Sequence, residues 1–84
     1  MRKIAVISAI LEDPSDSQQK FNDIVASFKG LIKGRMGIPC HDEGVSVISI
    51  VVVGEMDDIN NMTGKLGNLS NVLVKTSISK KELD

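Results

Sequence analysis

The stretch Val45 to Gly54, VSVISIVVVG, carries no charge and is β-branched almost throughout. Val45, Val47, Val51 and Val53 form one alternate set, and Ile48, Ile50 and Val52 form the other. A half-buried strand alternates apolar with polar positions, so a run that is apolar on both sides reads as a central strand covered on both faces. It is too short to cross a membrane as a helix. Lys3 to Leu11 has the same character, with Ile4, Val6 and Ile10 on one face and Ala5, Ile7, Ala9 and Leu11 on the other. Glu12-Asp13-Pro14 ends it, because proline cannot donate to a ladder. Two further runs carry charge. In Ile32 to Ile38, the residues Ile32, Met36 and Ile38 alternate with Lys33, Arg35 and Gly37. In Val72 to Ile78, Val72, Val74 and Ile78 point inward, and Lys75 and Ser77 make the other side largely polar. Charge on a strand suits an exposed edge, where it discourages aggregation.

The intervening segments have helical spacing. Ser15 and Gln18 stand at capping-box separation, and Phe21, Ile24, Val25 and Phe28 follow at i, i+3, i+4 and i+7. Gly30 is the expected end of that helix. The residues Pro39 to Gly44 read as a turn. After Gly54, the acidic residues Glu55, Asp57 and Asp58 suit a helix start, where the dipole favours negative charge. Ile59, Met62 and Leu66 form its apolar stripe. Gly64 inside this helix reads as a site of close helix–sheet approach, and Gly67 as the left-handed residue past its end. Lys80 to Asp84 reads as a solvated tail.

Element order and strand polarity agree on one architecture. The order is β-α-β-β-α-β, which predicts an α+β, ferredoxin-like sandwich. Strands one and three are central and strands two and four are edges, which gives an antiparallel sheet of order 4-1-3-2 with two helices on one face. Each central strand then turns one apolar set away from the helices, and the pattern does not say which. A face of that kind predicts a homo-oligomer, a dimer or higher, joined through the sheet.

Size and composition narrow the classes. Eighty-four residues fit a single regulatory-sized domain, 1–84. Cys40 is the sole cysteine, so no disulfide can form within the chain, and a lone thiol fits a reducing compartment. Net charge is −1, no basic block occurs, and the aromatics are two phenylalanines. Direct nucleic-acid binding is therefore not expected, since it needs a basic footprint or stacking platforms. Arg2 and Lys3 before the apolar run imitate a signal peptide, but Glu12-Asp13-Pro14 follows in place of a small-residue cleavage site. No lipidation motif or membrane span is visible, and a cytoplasmic location is expected.

Candidate chemistry is sparse. Cys40, His41, Asp42 and Glu43 are all metal-ligating residue types. Neighbours in an extended segment point to opposite sides, so consecutive residues rarely chelate one ion. A polar hairpin loop with an incidental thiol is the simpler reading, and a metal site using Cys40 and His41 across a subunit interface is the alternative. Gly64-Lys65 lacks the other positions of a phosphate loop, which here hold Ile59 and Leu66. No Ser-His-Asp or Cys-His arrangement can be assembled, so an enzyme is not expected. Arg35, in GRMG, could clamp a carboxylate or phosphate through its guanidinium, with Gly34 and Gly37 leaving room for a ligand. The plainer reading is an edge charge between bulge glycines.

The opening RKIAVISAILEDPSD, then GRMGIP, GVSVISIVVVG, INNMTGKLGNL and the closing VLVKTSIS resemble the iron-only hydrogenase system regulator family. The resemblance runs from residue 2 to residue 79, and GRMGIP and TGKLG are its most specific pieces. It implies an ACT-like module, related in fold to the C-terminal domain of the nickel-responsive repressor. The implied role is regulation, including transcriptional regulation, of the iron-only hydrogenase system through a small effector or a protein partner. The family carries no established catalytic residues to transfer, and no cofactor is implied. ACT domains that bind amino acids commonly have a glycine between strand one and helix one, where this chain has Glu12-Asp13-Pro14-Ser15. The repressor's nickel site uses several histidines, and this chain has His41 alone. Neither an amino-acid effector nor nickel sensing therefore carries over. Effector, partner and target gene are not written in the sequence.

Overall fold

A computed structural model describes residues 1–83. The elements follow the order β1 (Arg2–Leu11), α1 (Pro14–Ser27), β2 (Ile32–Cys40), β3 (Val45–Glu55), α2 (Met56–Gly67) and β4 (Val72–Ile78). They form one antiparallel sheet of order β2-β3-β1-β4, the ferredoxin-like arrangement read from the chain. No helix of the described residues is long and apolar enough to cross a membrane.

The choice left open by the two apolar sets is settled by register. Ala5, Ile7, Ala9 and Leu11 of β1, with Ile48, Ile50 and Val52 of β3, lie under the helices and are buried. Phe21 and Val25 of α1 and Ile59, Met62 and Leu66 of α2 close over them. Each helix thus seals its apolar stripe against the same face of the sheet. Lys65 of α2 places its ammonium 5.4 Å from the centre of the Phe28 ring, a cation–π contact between the two helical segments. Ile4, Val6 and Ile10 of β1 and Val47 of β3 face the other way and stay exposed.

Several local expectations are corrected. Helix α1 starts at Pro14, not Ser15, because a proline at the first helical position has its φ pre-set and needs no partner for an N–H. The Ser15–Gln18 capping box does not form. The Ser15 hydroxyl donates to the Asp13 carboxylate at 2.8 Å, and the Ser17 hydroxyl, fully buried, donates to the Asp13 carbonyl at 3.0 Å. The helix ends at Ser27 rather than Gly30, and a 3-10 turn, Lys29–Leu31, follows. Strand β2 runs on through Pro39 to Cys40, so the turn is confined to residues 41–44, closed by Gly44 at φ 74°. Pro39 is tolerated there because β2 is an edge.

The largest correction lies inside β2. A bulge between Ile32 and Gly34 inserts one residue and reverses the alternation beyond it. Ile32 stands opposite Val52 on the helix side, whereas Met36 and Ile38 stand opposite Ser49 and Val47 on the open side. In α2, Gly64 has no atom within 4 Å of where a Cβ would lie, so close packing does not explain it. Gly67 is helical, and the left-handed residue is Asn71, at φ 61°, whose carbonyl accepts from the Glu12 N–H at 2.7 Å. The close approach belongs instead to Gly54, where an added Cβ would come within 2.7 Å of the Leu31 side chain.

Candidate functional site

Helix α1 leaves most of β2 uncovered, and a groove remains between them. Nearer the middle of the sheet the groove holds about 220 Å³ and is lined by Gln18, Arg35, Gly37, Pro39 and Ser46, among others. Toward the hairpin it widens to about 520 Å³, bounded by Asp13, Ser15, Gln18, Pro39, Cys40, His41 and Ser46. The two hollows share Gln18, Pro39 and Ser46, so they form one continuous depression. A groove of several hundred Å³ has the volume of small-molecule sites.

Its anchor is Arg35. The β2 bulge puts Arg35 opposite Ile50, on the helix side, and from there its Nη2 donates to the Asn22 amide oxygen at 3.2 Å. That same oxygen accepts from Gln18 Nε2 at 3.3 Å. Gln18 and Asn22 are one helical turn apart on α1 and so lie on one face. A guanidinium has five N–H donors. No carboxylate among the described residues pairs with this one, so most of its donors remain open to the groove. Gly37, also on the helix side, leaves the space beside Arg35 unfilled.

Of the three residues marked as an effector cluster, Arg35 and Gly37 therefore share the groove. Gly34 does not; it stands in the bulge, opposite Val51, in register with the open face. Asn22 was not foreseen. The signal available for it was the i,i+4 amide pair Gln18–Asn22 beside the apolar stripe, which the capping-box reading of Gln18 obscured. Cys40 and His41 both border the wider hollow. No hydrogen bond joins them, and the Cys40 thiol has only a long contact to the Ile38 carbonyl, at 3.8 Å. No three His, Cys, Asp or Glu side chains among the described residues converge on a point that could hold an ion.

The groove offers hydrogen-bond donors and room, but no nucleophile paired with a base. The fold is that of a small ferredoxin-like α+β domain. The chain belongs to the TM1266-like family, described as "Iron-only hydrogenase system regulator, putative", whose sequence model matches residues 3–76. That span contains both GRMGIP and TGKLG. Among solved structures, the chain is similar to uncharacterized protein TM1266 from Thermotoga maritima, with 29% identity, a TM-score of 0.91, and coverage of 95% of this chain and 100% of that one. It shares its fold with part of a formyltetrahydrofolate deformylase from Pseudomonas syringae, at 14% identity and TM-score 0.65, over 98% of this chain and 29% of that one. The de novo designed protein Foldit4 has the same fold at 9% identity and TM-score 0.64, over 98% of this chain and 100% of that one. No curated protein matches the chain.

Proposed function

We propose that this protein serves the iron-only hydrogenase system as a non-catalytic sensing module, which binds a small effector bearing a carboxylate or phosphate in the α1–β2 groove. The observation that carries this reading is Arg35, whose guanidinium is fixed by Asn22 yet has no carboxylate partner among the described residues. A planar guanidinium with free donors recognises a planar or tetrahedral oxyanion in a bidentate way. The hydrogen bond from Gln18 to the same Asn22 oxygen holds the acceptor in place, so part of the ordering cost is met before a ligand arrives.

A thermal-shift screen of carboxylates and nucleotides tests the reading. At ten times Kd a ligand adds about 1.4 kcal/mol, which raises the melting temperature of a domain this size by roughly 6–11 °C. Wild-type protein should show such a rise with at least one probe, and Arg35→Ala should lose it. Because Arg35 is exposed, the unliganded melting temperature of the variant should stay within about 4 °C of wild type. A shift of equal size in both proteins, or none in wild type, refutes the groove as the effector site.

A further inference from the structure

The sheet has a second face, on the side away from the helices and the groove. Its apolar residues come from all four strands. Register sets Ile38, Val47, Ile10 and Leu73 in one row across the whole sheet. Met36 flanks the next row, and Val6 and Ile4 continue the surface along β1. These seven side chains are between 37% and 64% exposed. Serine fills the middle: Ser8 and Ser49 are directly paired at the centre of the face. The charge in that row, Lys75, stands on β4, at the rim.

We infer that this open face is a self-association surface, occupied by the open face of a second copy of the same chain. Area is the first argument. Four strands about 4.8 Å apart, with rows from Ile4 to Cys40 about 27 Å long, make a footprint of about 500 Å². Two such faces together bury on the order of 1,000 Å², the size at which specific interfaces begin. Charge is the second. In an isologous contact the same patch meets itself, so a charge at its centre would face its own sign. Here the centre holds two hydroxyls, each able to donate and accept across the contact, and the lysine lies where its ammonium reaches water. Shape is the third. A twisted four-stranded sheet packs on another of equal twist in the aligned manner of sandwiches, with branched side chains interdigitating.

Sedimentation equilibrium from 1 to 100 µM tests the inference. Wild-type protein should sediment at twice the 9.1 kDa chain mass. Val47→Lys places a charge beside Ile10 and Ile38 and should weaken association at least 100-fold, giving monomers at 10 µM. Ile38→Lys is a second variant for the case in which Val47→Lys does not fold. Ile38 is on an edge strand and already 54% exposed, so a monomer can hold a lysine there in water. A folded monomer in either variant, seen by circular dichroism, supports the surface. A wild-type monomer at 100 µM overturns it, as does a dimer that persists undiminished in a folded variant, since that dimer would use the strand edges or the helices.

Discussion

Adjacent residues of β3 should respond very differently to truncation. Ile50 is fully buried under the helices, and Val51 is half-buried on the open face. Ile50→Ala removes three carbons, which at about 0.8 kcal/mol each is roughly 2.4 kcal/mol of lost burial. The cavity left behind adds up to about 2 kcal/mol more, depending on how far the surrounding core collapses into it. The expected cost is thus about 3–4 kcal/mol. An 84-residue domain has only about 4–13 kcal/mol in total. Val51→Ala removes two carbons that water already reaches in part and encloses no cavity, so about 0.8 kcal/mol is expected. Urea unfolding followed by circular dichroism measures both, with Ile50→Val, at about 1 kcal/mol, as a milder probe if Ile50→Ala does not fold. The runs are made at two protein concentrations, because loss at Val51 will grow with concentration where faces are paired and loss at Ile50 will not. Equal costs at the two positions, or a larger cost at Val51 in dilute protein, would mean the strand is turned over.

Two further outcomes follow from local geometry and charge. Gly64 is exposed in the interior of α2 with open space around it, so Gly64→Ala should stabilise by about 0.8–1 kcal/mol and raise the melting temperature by roughly 3–8 °C in calorimetry; a lower melting temperature would mean that the missing side chain is required. With a net charge of −1 and no basic stripe, the protein should show no nanomolar, salt-resistant binding to duplex DNA in a gel shift at physiological salt.

How much was legible in the sequence depended on the range of the interaction that decides each feature. The sheet order followed from Val45 to Gly54 and Lys3 to Leu11, because apolar residues on both sides of a strand exclude an edge. The stripe Ile59, Met62 and Leu66 likewise named the buried side of α2, and all three are fully buried. Strand β2 was misphased for a different reason. A bulge is one residue inserted against a partner strand, and only the pairing with Val51 and Val52 reveals it. Reading strict alternation put Ile32, Met36 and Ile38 on one side, and the inserted residue moves the last two to the other. Arg35 was legible as a candidate anion site. Its partner Asn22 lies on a different element: local spacing offered the i,i+4 amide pair Gln18–Asn22, but only the tertiary contact joins that pair to Arg35. The start of α1 was misplaced through competition between neighbours: Asp13, Pro14 and Ser15 are each acceptable near an N-terminus, and Pro14 takes the first helical position.

Strand β2 ties the groove to the open face. Beyond the bulge its residues alternate between the two surfaces, so Arg35 and Gly37 look into the groove while Met36 and Ile38 look onto the open face. The strand is hydrogen-bonded to β3 along one edge and to nothing in the sheet along the other. Residues 33–39 are exposed throughout, so little packing restrains it. An oxyanion gripped by Arg35 against Asn22 would draw β2 toward α1 and narrow the range of positions open to Met36 and Ile38. Ordering by one ligand lowers the cost of ordering by the next. The two events should therefore be coupled, and thermodynamic linkage requires the coupling to be reciprocal. A typical coupling of 1–3 kcal/mol changes an affinity by about 5- to 150-fold. The measurement is the dimer dissociation constant with and without a saturating groove probe, paired with the probe's affinity for wild type and for a Leu73→Lys monomer, whose substitution lies on β4 away from the groove. Both ratios should exceed five and agree within error. Ratios of one would show that β2 is rigid and that the two surfaces act independently.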